Sequence, residues 1–370
     1  MWGSLALATI ALGAAAPAIA QGATCNQTQA CPLSAPCCSP YGYCGKGQFC
    51  LGGCEPLYSN KLTSCKPEPV CRDLVTDFND LSRVLMNGTT YDGNVTSWDW
   101  VVDSGKLEPA PNGDGARLTL TEKGGTKISS TRYVHYGLID FVMQTSNWPG
   151  VVSAAITMSD VKDEIDFEWP GAITNQVQSN FFFLGHVNYS DSNGGYHNLS
   201  GNTATQFHKY TINWQPEVLE WWIDEKVVRS VKKADTWKES TQQYYFPTTP
   251  SRVQISIWPA GIEGAAKGTV EWAGGMIDWS EPDYINNGYF WNTIKEVSVS
   301  CTDELPITDD TTGYQFIGND TDNVPMVGLT NRSTNMRVNG AGAVSPASTG
   351  VTLALAASLL LAFPAMAWVA

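Results

Sequence analysis

Between Asp163 and Trp169 the chain reads D-E-I-D-F-E-W, with acids and apolar residues alternating without a break from Glu164 onward. A β-strand sends successive side chains to opposite faces, so Glu164, Asp166 and Glu168 share one face and Ile165, Phe167 and Trp169 the other. Such a strand buries its apolar side and presents three carboxylates in a row. Adjacent like charges repel, and stability alone does not ask for that arrangement. A solvated acidic edge strand is the competing reading, and the unbroken apolar face argues against it.

Chemistry does ask for it. Cleaving a glycosidic bond with retention needs one carboxylate as nucleophile and a second, kept protonated, as general acid. Crowding three acids raises the pKa of at least one of them and supplies the protonated member. In a flat strand Glu164 and Glu168 would stand about 13 Å apart at Cα, whereas a retaining pair needs its carboxyls about 5–5.5 Å apart. The strand is therefore expected to curve across a concave sheet, both side chains leaning in over Asp166.

The rest of the chain suits an all-β fold. From residue 71 to 301 short β-type runs alternate with Gly, Pro, Asn and Asp, and amphipathic helices are few. Predicted strands are Ala116–Thr121, Gly137–Thr145, Val151–Met158, Glu164–Trp169, Gln178–Leu184, His208–Trp214, Leu219–Ile223, Lys226–Val231, Arg252–Trp258 and Ile294–Ser300. Two stacked antiparallel sheets, one concave, accommodate them. In Arg252–Trp258 the alternation turns Val253, Ile255 and Ile257 inward and sets Trp258 beside Gln254 and Ser256 on the other face, as a sugar subsite requires. Gln178, Asn180 and Phe182 border the same groove. Thr269 and Glu271 are read as alternating in the same way with Val270 and Trp272.

A net charge of -14 argues against a nucleic-acid partner or an anionic membrane surface. His186, His197 and His208 have no metal-ligand spacing, and neither metal nor cofactor is expected. Nine of the ten cysteines fall between Cys25 and Cys71, which implies an oxidising compartment and a small module held by disulfides. Both ends look like processing signals. Leu5 to Ala16 is apolar and precedes Ala18-Ile19-Ala20, a cleavage pattern that makes 1–20 a signal peptide. Val351 to Ala370 is apolar, behind a spacer and small residues. This order matches a lipid-anchor signal, with Asn339 as attachment site and 340–370 removed. Asn26, Asn87, Asn94, Asn188, Asn198, Asn319 and Asn331 each begin a glycosylation sequon, in keeping with secretion.

Inside the cysteine framework, Ser39-Pro40-Tyr41-Gly42-Tyr43-Cys44-Gly45 and Phe49 resemble a hevein-like chitin-binding module of carbohydrate-binding family 18, here residues 25–65. That resemblance implies sugar contacts from Ser39, Tyr41, Tyr43 and Phe49. It also implies the pairs Cys25–Cys38, Cys31–Cys44, Cys37–Cys50 and Cys54–Cys65, leaving Cys71 for Cys301. Lys66-Pro67-Glu68-Pro69 reads as a short stiff linker at 66–70.

Val151-Val152-Ser153-Ala154, the D-E-I-D-F-E run, Phe207 to Trp214, Trp221-Trp222-Ile223-Asp224 and Trp272-Ala273-Gly274-Gly275 together resemble glycoside hydrolase family 16. With the flanking signals the whole is similar to fungal cell-wall transglycosylases of the Crh type. The resemblance implies a β-jelly-roll sandwich with a concave cleft at 71–301, and a short tail at 302–339. It implies Glu164 as nucleophile, Glu168 as acid/base and Asp166 as the residue tuning them. It further implies sugar contacts from Glu168, Gln254, Trp258 and Thr269. The expected activity cuts chitin and joins it to β-glucan, performed by a monomer tethered to the outer face of the plasma membrane. Hydrolysis by the same carboxylates and a non-catalytic wall-binding lectin are the rival readings.

Overall fold

The acidic strand lies in the interior of a sheet and has a partner on each side. In the computed structural model, which describes residues 22–187, 193–320 and 324–336, Glu164–Pro170 pairs with Val151–Ser159 and with Gln176–Phe182. The sheet continues past Val151–Ser159 through Ser251–Pro259, Thr126–Val134, Trp100–Ser104 and Val84–Leu85. It ends on the other side at Gly195–Asn198, making eight strands. All pairings are antiparallel except the outermost, Val84–Leu85 with Trp100–Ser104. A solvated acidic edge is thereby excluded.

The second sheet runs Lys226–Lys232, Val218–Ile223, His208–Trp214, Gly137–Gln144, Phe290–Cys301, Ala116–Leu120 and Leu107–Pro109. Leu74–Asp77 pairs with Phe290–Cys301 as its eighth strand. The core lies between the sheets. Ile165, Phe167 and Trp169 bury their side chains completely, as do Val253, Ile255 and Ile257, against Phe141, Tyr210, Ile212, Trp214 and Trp221 of the second sheet. These are the two stacked sheets expected from the alternating strands, in the jelly-roll sandwich that the family resemblance implied.

The strand Thr126–Val134 (T-K-I-S-S-T-R-Y-V) escaped the pattern reading. Its register against Ser251–Pro259 shifts between Arg252 and Gln254. A bulge breaks period-two alternation and hides a strand from that signal.

Five disulfides join Cys25 to Cys38, Cys31 to Cys44, Cys37 to Cys50, Cys54 to Cys65 and Cys71 to Cys301. The first four hold a module with little apolar sequence of its own. The fifth closes the large domain across a sequence separation of 230.

The linker and the tail are built into the fold instead of serving as spacers. Glu68–Pro69 forms a strand against Gly313–Asn319, which also pairs with Pro325–Thr330. That small sheet packs Tyr314 against Val70 and Tyr133. No helix among the described residues is long and apolar enough to cross a membrane. The signal segment 1–20, the sequon at Asn188, the attachment site Asn339 and the segment 340–370 lie outside the described residues.

Candidate active site

Strand register assembles the site row by row, because residues directly opposite one another in a sheet share a face. Glu168 stands between Gln178 and Ala154, and the row continues to Ser256 and Lys127. Asp166 stands between Asn180 and Ile156, followed by Gln254 and Ser129. Glu164 stands between Phe182 and Met158, followed by Arg252. The predicted groove residues Gln178, Asn180, Phe182, Gln254 and Trp258 therefore share the carboxylate face.

The strand is held at its start by Asp163. This carboxylate is fully buried and accepts from the Leu184, Thr248 and Thr249 amides at 2.9, 2.8 and 3.0 Å and from the Thr249 hydroxyl at 2.7 Å. Mid-strand, the Trp221 indole crosses the core and donates to the Asp166 carbonyl at 2.9 Å. Asn292 reaches across in the same way to the Ser256 carbonyl, also at 2.9 Å. The acidic strand is thus anchored at its start and its middle, and its neighbour Ser251–Pro259 at Ser256, all from outside the groove.

Electrostatics separates the three acids. Burial pushes Asp166 well above the ordinary carboxylate range, and the charges of Glu164 and Glu168 add to the shift. Burial also raises Glu168 to about 8, with a further push from Glu164. Glu164 rises only to about 7, because burial is opposed by a hydrogen bond from Asp166 and by the charges of Lys162 and Lys127. Glu164 is thus the first of the two glutamates to ionise, with Asp166 donating a hydrogen bond to it. One ionised and one protonated glutamate on the same strand face is the division of labour that acid-assisted nucleophilic displacement needs.

Around the acids the groove offers donors and an aromatic surface. Ser129 donates to Asp103, and Lys127 is influenced by both Asp103 and Glu164. Trp258 stacks on Trp272 with ring centroids 6.0 Å apart and planes 24° apart, and the Trp272 indole donates to Gln178 at 2.8 Å.

This last pair corrects the reading of residues 267–272. Lys267–Trp272 is a short helix, not an alternating strand, so Thr269 does not face the groove by period two. Trp272, assigned by that alternation to the opposite face, instead joins Trp258 at the groove. Six residues fit either period too loosely to choose between them, and the helix is ended by Gly274 and Gly275 with φ of 88° and 118°.

In the N-terminal module Tyr41, Tyr43 and Phe49 are 52, 50 and 40 % exposed, whereas Ser39 is buried. The Ser39 hydroxyl accepts from the Tyr43 amide at 3.2 Å, shaping the turn that carries the two tyrosines. His197 bonds Ser179 and His208 bonds Asp224, both structural contacts.

Residues 94–274 match the family model "Glycosyl hydrolases family 16". Crh-like protein 2 of Aspergillus fumigatus is 42% identical over 303 residues, covering 81% of this chain and 67% of that protein. Congo red hypersensitive protein 2 of Saccharomyces cerevisiae is 40% identical over 280 residues, covering 75% of this chain and 59% of that protein. The chain thus spans about three fifths to two thirds of the length of these relatives. Among solved structures, "Crh5 transglycosylase in complex with NAG" superposes with a TM-score of 0.55 at 27% identity, covering 70% of this chain and 92% of that one. With the carboxylate strand, the two sheets and these relatives in hand, the chain belongs to the Crh-like proteins of glycosyl hydrolase family 16.

Proposed function

We propose that this protein is a retaining cell-wall transglycosylase that cleaves chitin and joins it to β-glucan. The observation that carries the reading is the set Glu164, Asp166 and Glu168 on one face of an interior strand, all raised in pKa by burial, with Glu164 held lower by the Asp166 hydrogen bond and the charges of Lys162 and Lys127. Ionised Glu164 attacks the anomeric carbon as the bond to the leaving oxygen breaks and Glu168 delivers its proton to that oxygen. The glycosyl-enzyme ester is then opened by an acceptor hydroxyl, whose proton returns to Glu168 as the carboxylate of Glu164 leaves. Asp166, protonated, steadies the charge of Glu164 when the nucleophile is free.

Glu168, Gln254 and Trp258 contact the sugar in this reading, with Trp272 added by the stack on Trp258. Thr269 is kept as a contact of the neighbouring short helix. Ser39, Tyr41, Tyr43 and Phe49 hold chitin on the N-terminal module. The signal peptide and a lipid anchor at Asn339 place the protein, as a monomer, at the cell wall and the outer face of the plasma membrane.

The test incubates the secreted protein with chitin oligosaccharides and labelled β-glucan oligosaccharides and follows the products by mass spectrometry. Hybrid chains are expected, and Glu164→Gln abolishes them while polysaccharide binding persists. Shortened chains without hybrids would make the protein a hydrolase. Transfer retained in Glu164→Gln would overturn the nucleophile assignment.

A further inference from the structure

The N-terminal module does not hang from the catalytic domain; it is docked on it at Tyr133, Asp160 and Arg252. Gly52 and Gly53 make the approach. A Cβ on Gly52 would lie 2.9 Å from the Arg252 guanidinium, so a larger residue there has no room without displacing it. The Gly53 amide donates to the Asp160 carboxylate at 3.0 Å and to the Tyr133 hydroxyl at 3.2 Å, and Tyr133 itself donates to Asp160 at 2.9 Å. Gln48 donates to the Tyr91 carbonyl, and the tail residue Arg332 donates to the Thr63 carbonyl of the module. The linker strand Glu68–Pro69 and the strand Gly313–Asn319 close the junction from behind. Glu55, Glu68 and Asp160 are all buried at this seam.

The docking leaves the sugar-type aromatics open. The glycine loop is the face that meets the catalytic domain, while Tyr41, Tyr43 and Phe49 stay half exposed or nearly so. Tyr41 follows Pro40, whose ring would lie 3.2 Å from a Cβ on Gly53, at the seam with Arg252. Burial on the domain side raises the pKa of the Tyr41 hydroxyl, with a further push from Asp103 that Arg252 and Lys162 oppose. Arg252 shares a row of the sheet with Glu164, and Asp103 accepts from Ser129 in the row of Asp166. The module therefore meets the sheet at Arg252, in the row that carries Glu164.

From this placement we infer that the module and the catalytic groove form one carbohydrate-binding track, in which a single chain of β-linked N-acetylglucosamine units is held by Tyr41 of the module and by the groove at the same time. The inference rests on the reading of the module as chitin-binding. Rigid docking makes it advantageous: a second contact made within a fixed framework adds affinity without the ordering cost of a flexible tether. The module then selects long chains for the groove instead of merely concentrating the protein on a wall.

The test uses the full secreted chain carrying Glu164→Gln, which prevents turnover, titrated calorimetrically with short and with long chitin oligosaccharides. Tyr41→Ala and Trp258→Ala are added separately, and because Trp258 also packs on Val152, Ala260 and Ala273, thermal denaturation of each variant confirms that the fold is kept. One long oligosaccharide should bind per protein, and each substitution should weaken that same event by about tenfold. Short oligosaccharides should lose affinity at only one of two sites with each substitution. Two long chains per protein, with each substitution removing one, would overturn the track and leave the chitin-binding reading of the module intact. Binding indifferent to Tyr41 at every length would overturn both.

Discussion

The indole of Trp221, rooted in the second sheet, donates to the backbone carbonyl of Asp166 across the core at 2.9 Å. It ties the backbone that carries the central carboxylate to a side chain buried in the core. Trp221→Phe removes the donor and strands a buried carbonyl, a loss of about 1–3 kcal/mol. The expected signature is a lower melting temperature with kcat falling more than KM rises, read by thermal denaturation and steady-state transfer. Unchanged kcat would show that the bond supports the fold alone.

The acid pair sets a pH profile. The proposed mechanism uses Glu164 ionised and Glu168 protonated; burial puts their proton losses at about 7 and about 8, so kcat/KM should be bell-shaped with its maximum between those values. These are properties of the coupled set, and removing one member moves the rest. Glu168→Gln should lower the rate by about 10²–10⁴-fold and erase the alkaline limb. An acid limb at the ordinary carboxylate pKa, about 4.3, would contradict the crowding.

Trp272→Ala removes both the stack on Trp258 and the bond to Gln178. A stacked aromatic pair contributes about 0.5–1.5 kcal/mol beyond its buried area. Since Trp272 is only half-buried, the effect should fall on substrate: KM for oligosaccharides rises several-fold while the melting temperature moves by a few degrees at most. A fold that collapses instead would assign Trp272 to the core.

The seam between module and domain should weaken as pH rises. Burial raises Glu55 to about 8 and Asp160 to about 6, and it lifts Glu68 well above the ordinary carboxylate range, with help from Asp160. Folded carboxyls with raised pKa bind more protons than unfolded ones. Their stabilisation is complete below the unfolded value, about 4.3, and is lost as pH climbs through the folded values. Melting temperature should therefore fall from about pH 4.5 to about pH 8, and Glu55→Gln should flatten the decline. A melting temperature that rises over that interval would refute the buried-acid account.

The Cys71–Cys301 bridge closes the longest loop in the molecule. Replacing both cysteines by serine should cost about 2–5 kcal/mol, because the unfolded chain regains the freedom that the bridge removes. Denaturant titration of the double variant reads this directly, and an unchanged midpoint would show that the two segments are held by packing alone.

Local pattern was enough for the sandwich and for the acidic strand. Strand geometry obliges alternate residues to opposite faces, so Ile165, Phe167, Trp169, Val253, Ile255 and Ile257 could be placed in the core from their spacing, and all are fully buried. The same rule placed Gln254 and Trp258 beside the acids. It failed where the period was broken or the segment too short: the bulged strand Thr126–Val134, and the helix that turns Trp272 toward the groove. It was silent about Asp163, Trp221 and the seam at Gly53 and Asp160, residues separated by 107 positions. Periodicity is a property of one element and can be read along the chain. Which buried carboxylate receives which distant amide, and which aromatic ends up beside which acid, depends on how the sheets stack, how the tail returns to pair with the linker and where the module comes to rest. Those are consequences of packing, and only the folded molecule contains them.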